Sequence, residues 1–178
     1  MYLKDLCLIQ FKNYEEAQLS FSSNINCFLG NNGSGKTNLL DAIYYMCCCK
    51  SYFNSIDTQN INFEKQFFTI EGTFDRKDQL DKVFCGVKRG QKKVFKRNKK
   101  EYEKLSDHIG LFPLVIISPA DRNLIIEGSE TRRKFMDGVI SQSDKIYLQY
   151  IIKYNQVVSQ RNALLKYFAA NFTYDPTT

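Results

Sequence analysis

The sequence predicts an α/β fold: a mixed sheet with an antiparallel β subdomain, followed by the start of a helical lobe. Three observations predict it. A short apolar run, Ile25-Asn26-Cys27-Phe28-Leu29, leads directly into a glycine-rich loop and then into helical spacing. Alternating segments around Phe68–Phe74 and Val83–Val87 follow that helix. The last third of the chain then changes to the three-and-four spacing of amphipathic helices.

At the N-terminus, Leu6, Leu8 and Phe11 stand among polar residues, and Leu19 and Phe21 continue after a turn near Asn13–Glu16, so two strands are expected. The run at 25–29 suits a strand buried on both faces. From Asn38 to Cys49, Leu39, Leu40, Ile43, Tyr44 and Cys47 recur at helical intervals. Phe68, Ile70, Gly72 and Phe74 alternate with polar residues, as do Val83, Cys85 and Val87. Arg89-Gly90-Gln91 reads as the turn into another strand over Lys92–Arg97. Leu114–Ile117 predicts a further buried strand, stopped by Ser118-Pro119. A helical stretch begins at Ser129. Lys145–Phe168 reads as a long amphipathic helix, with Leu148, Ile151, Ile152, Val158, Leu165 and Phe168 largely on one side. The chain closes on a polar, proline-containing stretch, Asn171–Thr178.

Composition narrows the functional classes. The 178 residues are 43% hydrophobic and 14% aromatic, enough for a packed core in one domain or in one domain and part of another. No run approaches the length of a membrane span, and Met1–Asp5 lacks a signal-peptide layout, so a cytoplasmic location is expected. Three of six cysteines, Cys47, Cys48 and Cys49, are adjacent. That spacing suits neither a disulfide framework nor a metal site, and small core residues are the expected reading. The net charge of +6 is concentrated in one place. Nine basic residues from Lys88 to Lys104 face two acidic ones, a surplus of seven, and the rest of the chain sums to one negative charge.

The most informative segment is Gly30-Asn31-Asn32-Gly33-Ser34-Gly35-Lys36-Thr37, a full match to G-x-x-x-x-G-K-[ST]. Glycines permit backbone angles and close approaches that a Cβ forbids. Successive N–H groups and the positive end of the following helix then face phosphate. Lys36 supplies a charge for the β and γ phosphates, and the Thr37 hydroxyl suits Mg²⁺. ATP with Mg²⁺ is therefore the expected ligand.

Residues flanking the loop carry a more specific resemblance. Leu3-x-x-Leu6-x-Leu8-x-x-Phe11-Lys12-Asn13-Tyr14, the loop continued through Asn38-Leu39-Leu40-Asp41-Ala42-Ile43, and Ser118-Pro119-Ala120-Asp121 are similar to the RecF family. So are Arg132-Arg133-Lys134-Phe135-Met136-Asp137 and Tyr154-Asn155 followed by Arg161-Asn162-Ala163-Leu164-Leu165. The resemblance spans nearly the whole chain. It implies a P-loop NTPase head of ABC type, related to SMC heads. Residues 1–122 would form lobe I and 123–178 the start of a helical lobe II or arm. It further implies a recombination mediator that binds DNA at single-strand gaps and dimerises around ATP. With RecR and RecO, such a protein helps load RecA in replication, gap repair and the SOS response. By the same resemblance, Lys12, Asn13 and Asn38 are expected near the nucleotide. Lys12 stands where the family carries arginine, Asp41 where glutamate is usual, and Asn98-Lys99 where a hairpin often has Asn-Gly.

An ABC ATPase also needs a signature motif and a Walker B strand ending in acidic residues. Val115-Ile116-Ile117 ends in Ser-Pro, and neither element is found before Thr178. The chain is therefore expected to be the N-terminal portion of a longer protein, which the resemblance implies is a weakly DNA-stimulated ATPase. It carries no catalytic acid and should hydrolyse little as it stands.

Lys92, Lys93, Lys96, Arg97, Lys99 and Lys100 are the candidate DNA contacts, because phosphate recognition needs only surface cations. The plainer alternative is a lysine-rich edge that discourages sheet aggregation. Arg132 and Arg133 could contact DNA or pair internally. Two rival functions are a small-substrate phosphotransferase, which leaves Phe11–Tyr14 and the basic hairpin unexplained, and a structural SMC-like head, which would need a long coiled coil.

Overall fold

The computed structural model describes residues 1–76 and 79–172. The polar stretch from 173 to 178 lies outside the described residues. The chain divides into two compact units, Met1–Ile116 and Ile117–Thr178.

The first unit is built on a six-stranded antiparallel sheet. Its strands are β1 (Tyr2–Phe11), β2 (Tyr14–Ser20), β3 (Phe67–Arg76), β4 (Gln79–Lys88), β5 (Val94–Arg97) and β6 (Lys100–Glu101). The spatial order is β2-β1-β3-β4-β5-β6. Register puts Leu6 opposite Gly72 and Leu8 opposite Ile70, and on the next pair Ile70 opposite Cys85. These residues share one face and are buried. Helix α1 (Lys36–Cys48) packs on that face. Edge-on ring contacts between Phe11, Tyr45 and Phe68 join helix to sheet, with centroids 5.2 to 6.4 Å apart. Gly72 lies under the helix, where a Cβ would meet Leu3 Cδ1 and Met46 Cε at 3.3 Å each.

The segment after β6 completes the layer. Phe112 stacks on Phe74 at 4.2 Å, and His108 packs edge-on against Phe95 at 4.8 Å. His108 has no exposed surface. Its Nε2 lies 2.8 Å from the Met46 carbonyl, which can only accept, so Nε2 carries the proton. Nδ1 then accepts from the Tyr102 hydroxyl at 3.0 Å. Cys47, Cys48, Cys49 and Cys85 are free and buried in this core. Burial pushes their thiols up, Cys49 to about 12 despite the nearby charge of Lys93, so they pack as small apolar groups.

Two expected strands do not form. Residues 25–30 and 114–118 carry no strand pairing among the described residues. Ile25 and Leu29 are 89% and 88% exposed, and Val115 and Ile117 are also largely open. An apolar run becomes a strand only where a neighbouring backbone supplies its hydrogen bonds, and no described strand lies alongside. Only Phe28, edge-on to Phe21 at 6.0 Å, and Leu114 reach the core.

The second unit is helical: α2 (Asn123–Ile126), α3 (Ser129–Ser143) and α4 (Lys145–Asn171). Asp144 caps α4 by accepting from the N–H groups of Ile146 and Tyr147 at 2.8 and 2.9 Å. Tyr147 donates to Asp137 at 2.5 Å, joining α4 to α3. Arg132 donates to the carbonyls of Leu124 and Glu127, so it closes the end of α2. Along the expected apolar stripe of α4 only Leu148 is buried, and Ile152 and Leu165 are exposed.

Replacing His108 by Leu keeps the volume and removes both ring nitrogens. The Met46 carbonyl and the Tyr102 hydroxyl then lose their partner, at a cost of about 1–3 kcal/mol. A lowered urea midpoint with unchanged slope is the expected result.

Candidate nucleotide site and basic hairpin

The loop between Leu29 and α1 has the backbone its glycines were expected to provide. Gly30, Gly33 and Gly35 have φ of 154°, 81° and 103°. Gly35 is the residue before α1 and leaves that helix without a side-chain cap, and the first turn holds no acidic residue. The early N–H groups and the positive end of a thirteen-residue helix are therefore open to an anion. Lys36 Nζ donates to the carbonyls of Gly30 and Asn31 at 2.8 Å each, so its charge sits over the loop. Thr37 is exposed at the start of the helix, where its hydroxyl could hold a cation beside bound phosphates. Asn31, Asn32, Gly33 and Ser34 form the exposed rim.

The β1–β2 turn comes up against this loop. Asn13 Nδ2 donates to the Ser34 carbonyl at 3.3 Å, and Asn38 Nδ2 donates to Asn13 Oδ1 at 2.7 Å. Tyr14 Oη donates to the Gly35 carbonyl at 3.2 Å. Asn13, Asn38 and the loop are thus brought together. Lys12 is turned elsewhere. Its ammonium lies 2.5 Å from Asp41 Oδ2, with its side chain only 10% exposed. Asp41 is fully buried and also accepts from Ser51 Oγ at 2.6 Å and from the Tyr52 N–H at 2.7 Å.

The basic hairpin divides the six expected cations. Lys93 Nζ donates to the Cys49 carbonyl at 2.7 Å and pairs with Asp57 Oδ2 at 2.8 Å. Tyr45 donates to the other Asp57 oxygen. Arg97 grips Asp81 through two nitrogens, Nε at 2.9 Å and Nη2 at 3.1 Å. Burial pushes the Asp81 carboxyl up. Hydrogen bonds from Arg97 and Asn98, with the charges of Arg97 and Arg76, outweigh that and hold it below its ordinary value. This contribution to stability is full above about pH 4 and is lost as pH falls through the lowered value. Lys92, Lys96, Lys99 and Lys100 form no ion pair among the described residues. Asn98 and Lys99 make the β5–β6 turn with φ of 49° and 70°, a left-handed pair that needs no glycine here because Asn98 is fixed by Asp81 and by the Lys82 N–H.

Sequence reasoning missed Tyr14, Asp41, Asp57 and Asp81 as partners. Tyr14 was part of a recognisable block, but nothing in the linear order shows that β1–β2 folds over the loop. The acidic partners lie 16 to 36 residues from the cations they neutralise.

A glycine-rich loop on an uncapped helix, beside an antiparallel sheet, has the fold of the N-terminal part of an ABC-type ATPase head. The chain belongs to the RecF/RecN/SMC N-terminal domain family, whose model matches residues 2–120. It is 57% identical over 178 residues to the DNA replication and repair protein RecF of Flavobacterium johnsoniae, covering all of this chain and 50% of that protein. It is 58% identical over 167 residues to RecF of Phocaeicola vulgatus, covering 93% of this chain and 45% of that one. The chain thus spans about half the length of the curated relatives it matches. The solved structure of the recombination mediator protein RecF with ATP in the RecFOR pathway aligns at TM-score 0.87 and 34% identity, over 93% of this chain and 44% of that one. A structure of SMC ATPases, described by ATP-driven dimerization, aligns at 0.61 and 19% identity over 81% of this chain and all of that one, a likeness of fold alone.

Replacing Asp41 by Ala leaves the Lys12 ammonium buried without its counter-charge and frees Ser51 and Tyr52. Removing one member of a buried pair costs about 3–5 kcal/mol. Chemical denaturation is expected to show a loss of that size.

Proposed function

We propose that this chain is the ATP-binding portion of a RecF-type DNA repair protein, with nucleotide at residues 30–38 and DNA at the basic segment from Lys92 to Lys100. The observation that carries the reading is the open, uncapped start of α1 beneath Lys36, in a chain that aligns closely with a RecF–ATP structure. The triphosphate lies along the N–H groups of the loop. Lys36 exchanges the carbonyls of Gly30 and Asn31 for phosphate oxygens, and Thr37 holds Mg²⁺. Asn13 and Asn38 border the same site. Lys12 acts through Asp41 rather than on the nucleotide.

DNA contact falls to Lys92, Lys96, Lys99 and Lys100, because Lys93 and Arg97 are held by internal carboxylates. Such cations read phosphate rather than sequence, which suits recognition of a gap or duplex by its shape. The family supports the rest of the reading: dimerisation around ATP, work with RecR and RecO to load RecA at single-strand gaps, and a cytoplasmic location. Residues 1–122 act as lobe I and 123–178 begin the helical lobe. No described helix is long and apolar enough to cross a membrane.

Calorimetry with ATP and Mg²⁺ tests the site. Binding is expected for the wild type and is expected to be abolished in Lys36→Ala, at unchanged thermal stability. Fluorescence anisotropy over a salt series tests the hairpin. Exchanging Lys92, Lys96, Lys99 and Lys100 for Ala should lower the slope of log affinity against log salt by about 3 to 4 on duplex DNA. Lys93→Ala and Arg97→Ala should instead lower the melting temperature.

A further inference from the structure

The nucleotide reading leaves open what the β1–β2 turn does at the loop. Asn13 has both ends of its amide engaged, donating to the Ser34 carbonyl and accepting from Asn38. The Tyr14 hydroxyl donates to the Gly35 carbonyl, which also closes the first turn of α1 through the Leu39 N–H at 2.9 Å. In a trans peptide the carbonyl and the next N–H point in opposite directions. Holding the Ser34 and Gly35 carbonyls toward the turn therefore aims the Gly35 and Lys36 N–H groups away from it, into the loop.

The fit is close. A Cβ on Gly35 would come within 2.5 Å of Asn13 Nδ2 and 3.0 Å of Tyr14 Cζ, so the turn leaves no space for any other residue there. The turn is itself anchored. Lys12, at φ of 50°, donates its N–H to the Asn60 carbonyl at 2.8 Å and its ammonium reaches Asp41 on α1. Helix and turn are thus tied twice, once through Asn38 and Asn13 and once through Asp41 and Lys12.

We propose that the β1–β2 turn is a clamp that sets the shape of the phosphate loop. Asn13 and Tyr14 are its positioning residues, acting on the loop carbonyls rather than on the nucleotide, and Asn38 supports them by holding the Asn13 amide. This rests on the loop being the nucleotide site. The clamp orients phosphate-binding groups, so it matters equally for ATP and for inorganic tripolyphosphate, which has neither base nor sugar.

The test is calorimetry on the intact protein with both probes, alongside melting temperatures. Tyr14→Phe keeps the ring and is expected to weaken both ligands about threefold, and Asn13→Ala about five- to tenfold, by the usual worth of one or two hydrogen bonds. Melting temperatures should fall by no more than about 4 °C for Tyr14→Phe, by the same measure spread over a domain this size. Asn38→Ala combined with Asn13→Ala should be no weaker than Asn13→Ala alone, because Asn38 acts through Asn13. Unchanged affinity for both probes in Tyr14→Phe and Asn13→Ala, while Lys36→Ala abolishes binding, would overturn the clamp and leave the site standing. A loss confined to ATP would overturn it in favour of direct contact with base or sugar, and additive losses in the double variant would do the same. A wild type that binds neither probe would remove the nucleotide reading and the clamp together.

Discussion

The Asp41 carboxylate has no exposed surface, and three donors from two other parts of the chain meet on it: Lys12, and Ser51 with the Tyr52 backbone. Lys12 belongs to the β1–β2 turn, Asp41 to α1, and Ser51 and Tyr52 to the segment that leaves α1. A buried carboxylate is tolerated only with its hydrogen-bonding capacity filled, so the three pieces must close together. Once they do, the turn lies against the phosphate loop, and α1 is fixed on the sheet at the height where Gly72 admits Met46. The aromatic contacts of Phe11, Tyr45 and Phe68 then add apolar burial to a geometry already set.

Helix α1 is treated differently at its two ends. The first turn has neither cap nor acidic side chain, leaving its positive end available. The last turn is filled: Cys49, in a left-handed conformation, donates its N–H to the Tyr45 carbonyl, His108 donates to Met46, and Lys93 donates to Cys49. A cation at a helix C-terminus is favourable, as an anion is at the N-terminus. The basic hairpin therefore contributes Lys93 to the core of the first unit and leaves Lys92, Lys99 and Lys100 exposed.

Much of this was legible in the sequence. The phosphate loop and α1 are local features, written in glycine positions and three-and-four spacing. The β3–β4 pair is equally plain, because alternation over Phe68–Phe74 and Val83–Val87 reports one buried face. The expected strand at Lys92 begins instead at Val94, since Lys93 turns inward to Asp57. The runs at 25–29 and 114–117 misled for a different reason: apolar composition shows that a segment can be buried, and pairing depends on a neighbour that composition cannot supply. The site was legible as a loop but not as an assembly. Lys12 and Asn13 are adjacent, yet one points down to Asp41 and the other across to Ser34, and only the left-handed turn at Lys12 separates them.

Hydrogen exchange of the backbone amides, with and without saturating ATP and Mg²⁺, reads directly whether the loop N–H groups take up phosphate. Slowed exchange is expected across residues 33–38, where the N–H groups would face the phosphates, with the sheet unaffected. Unchanged exchange at these amides under saturating nucleotide, or protection confined to another part of the chain, would contradict that reading.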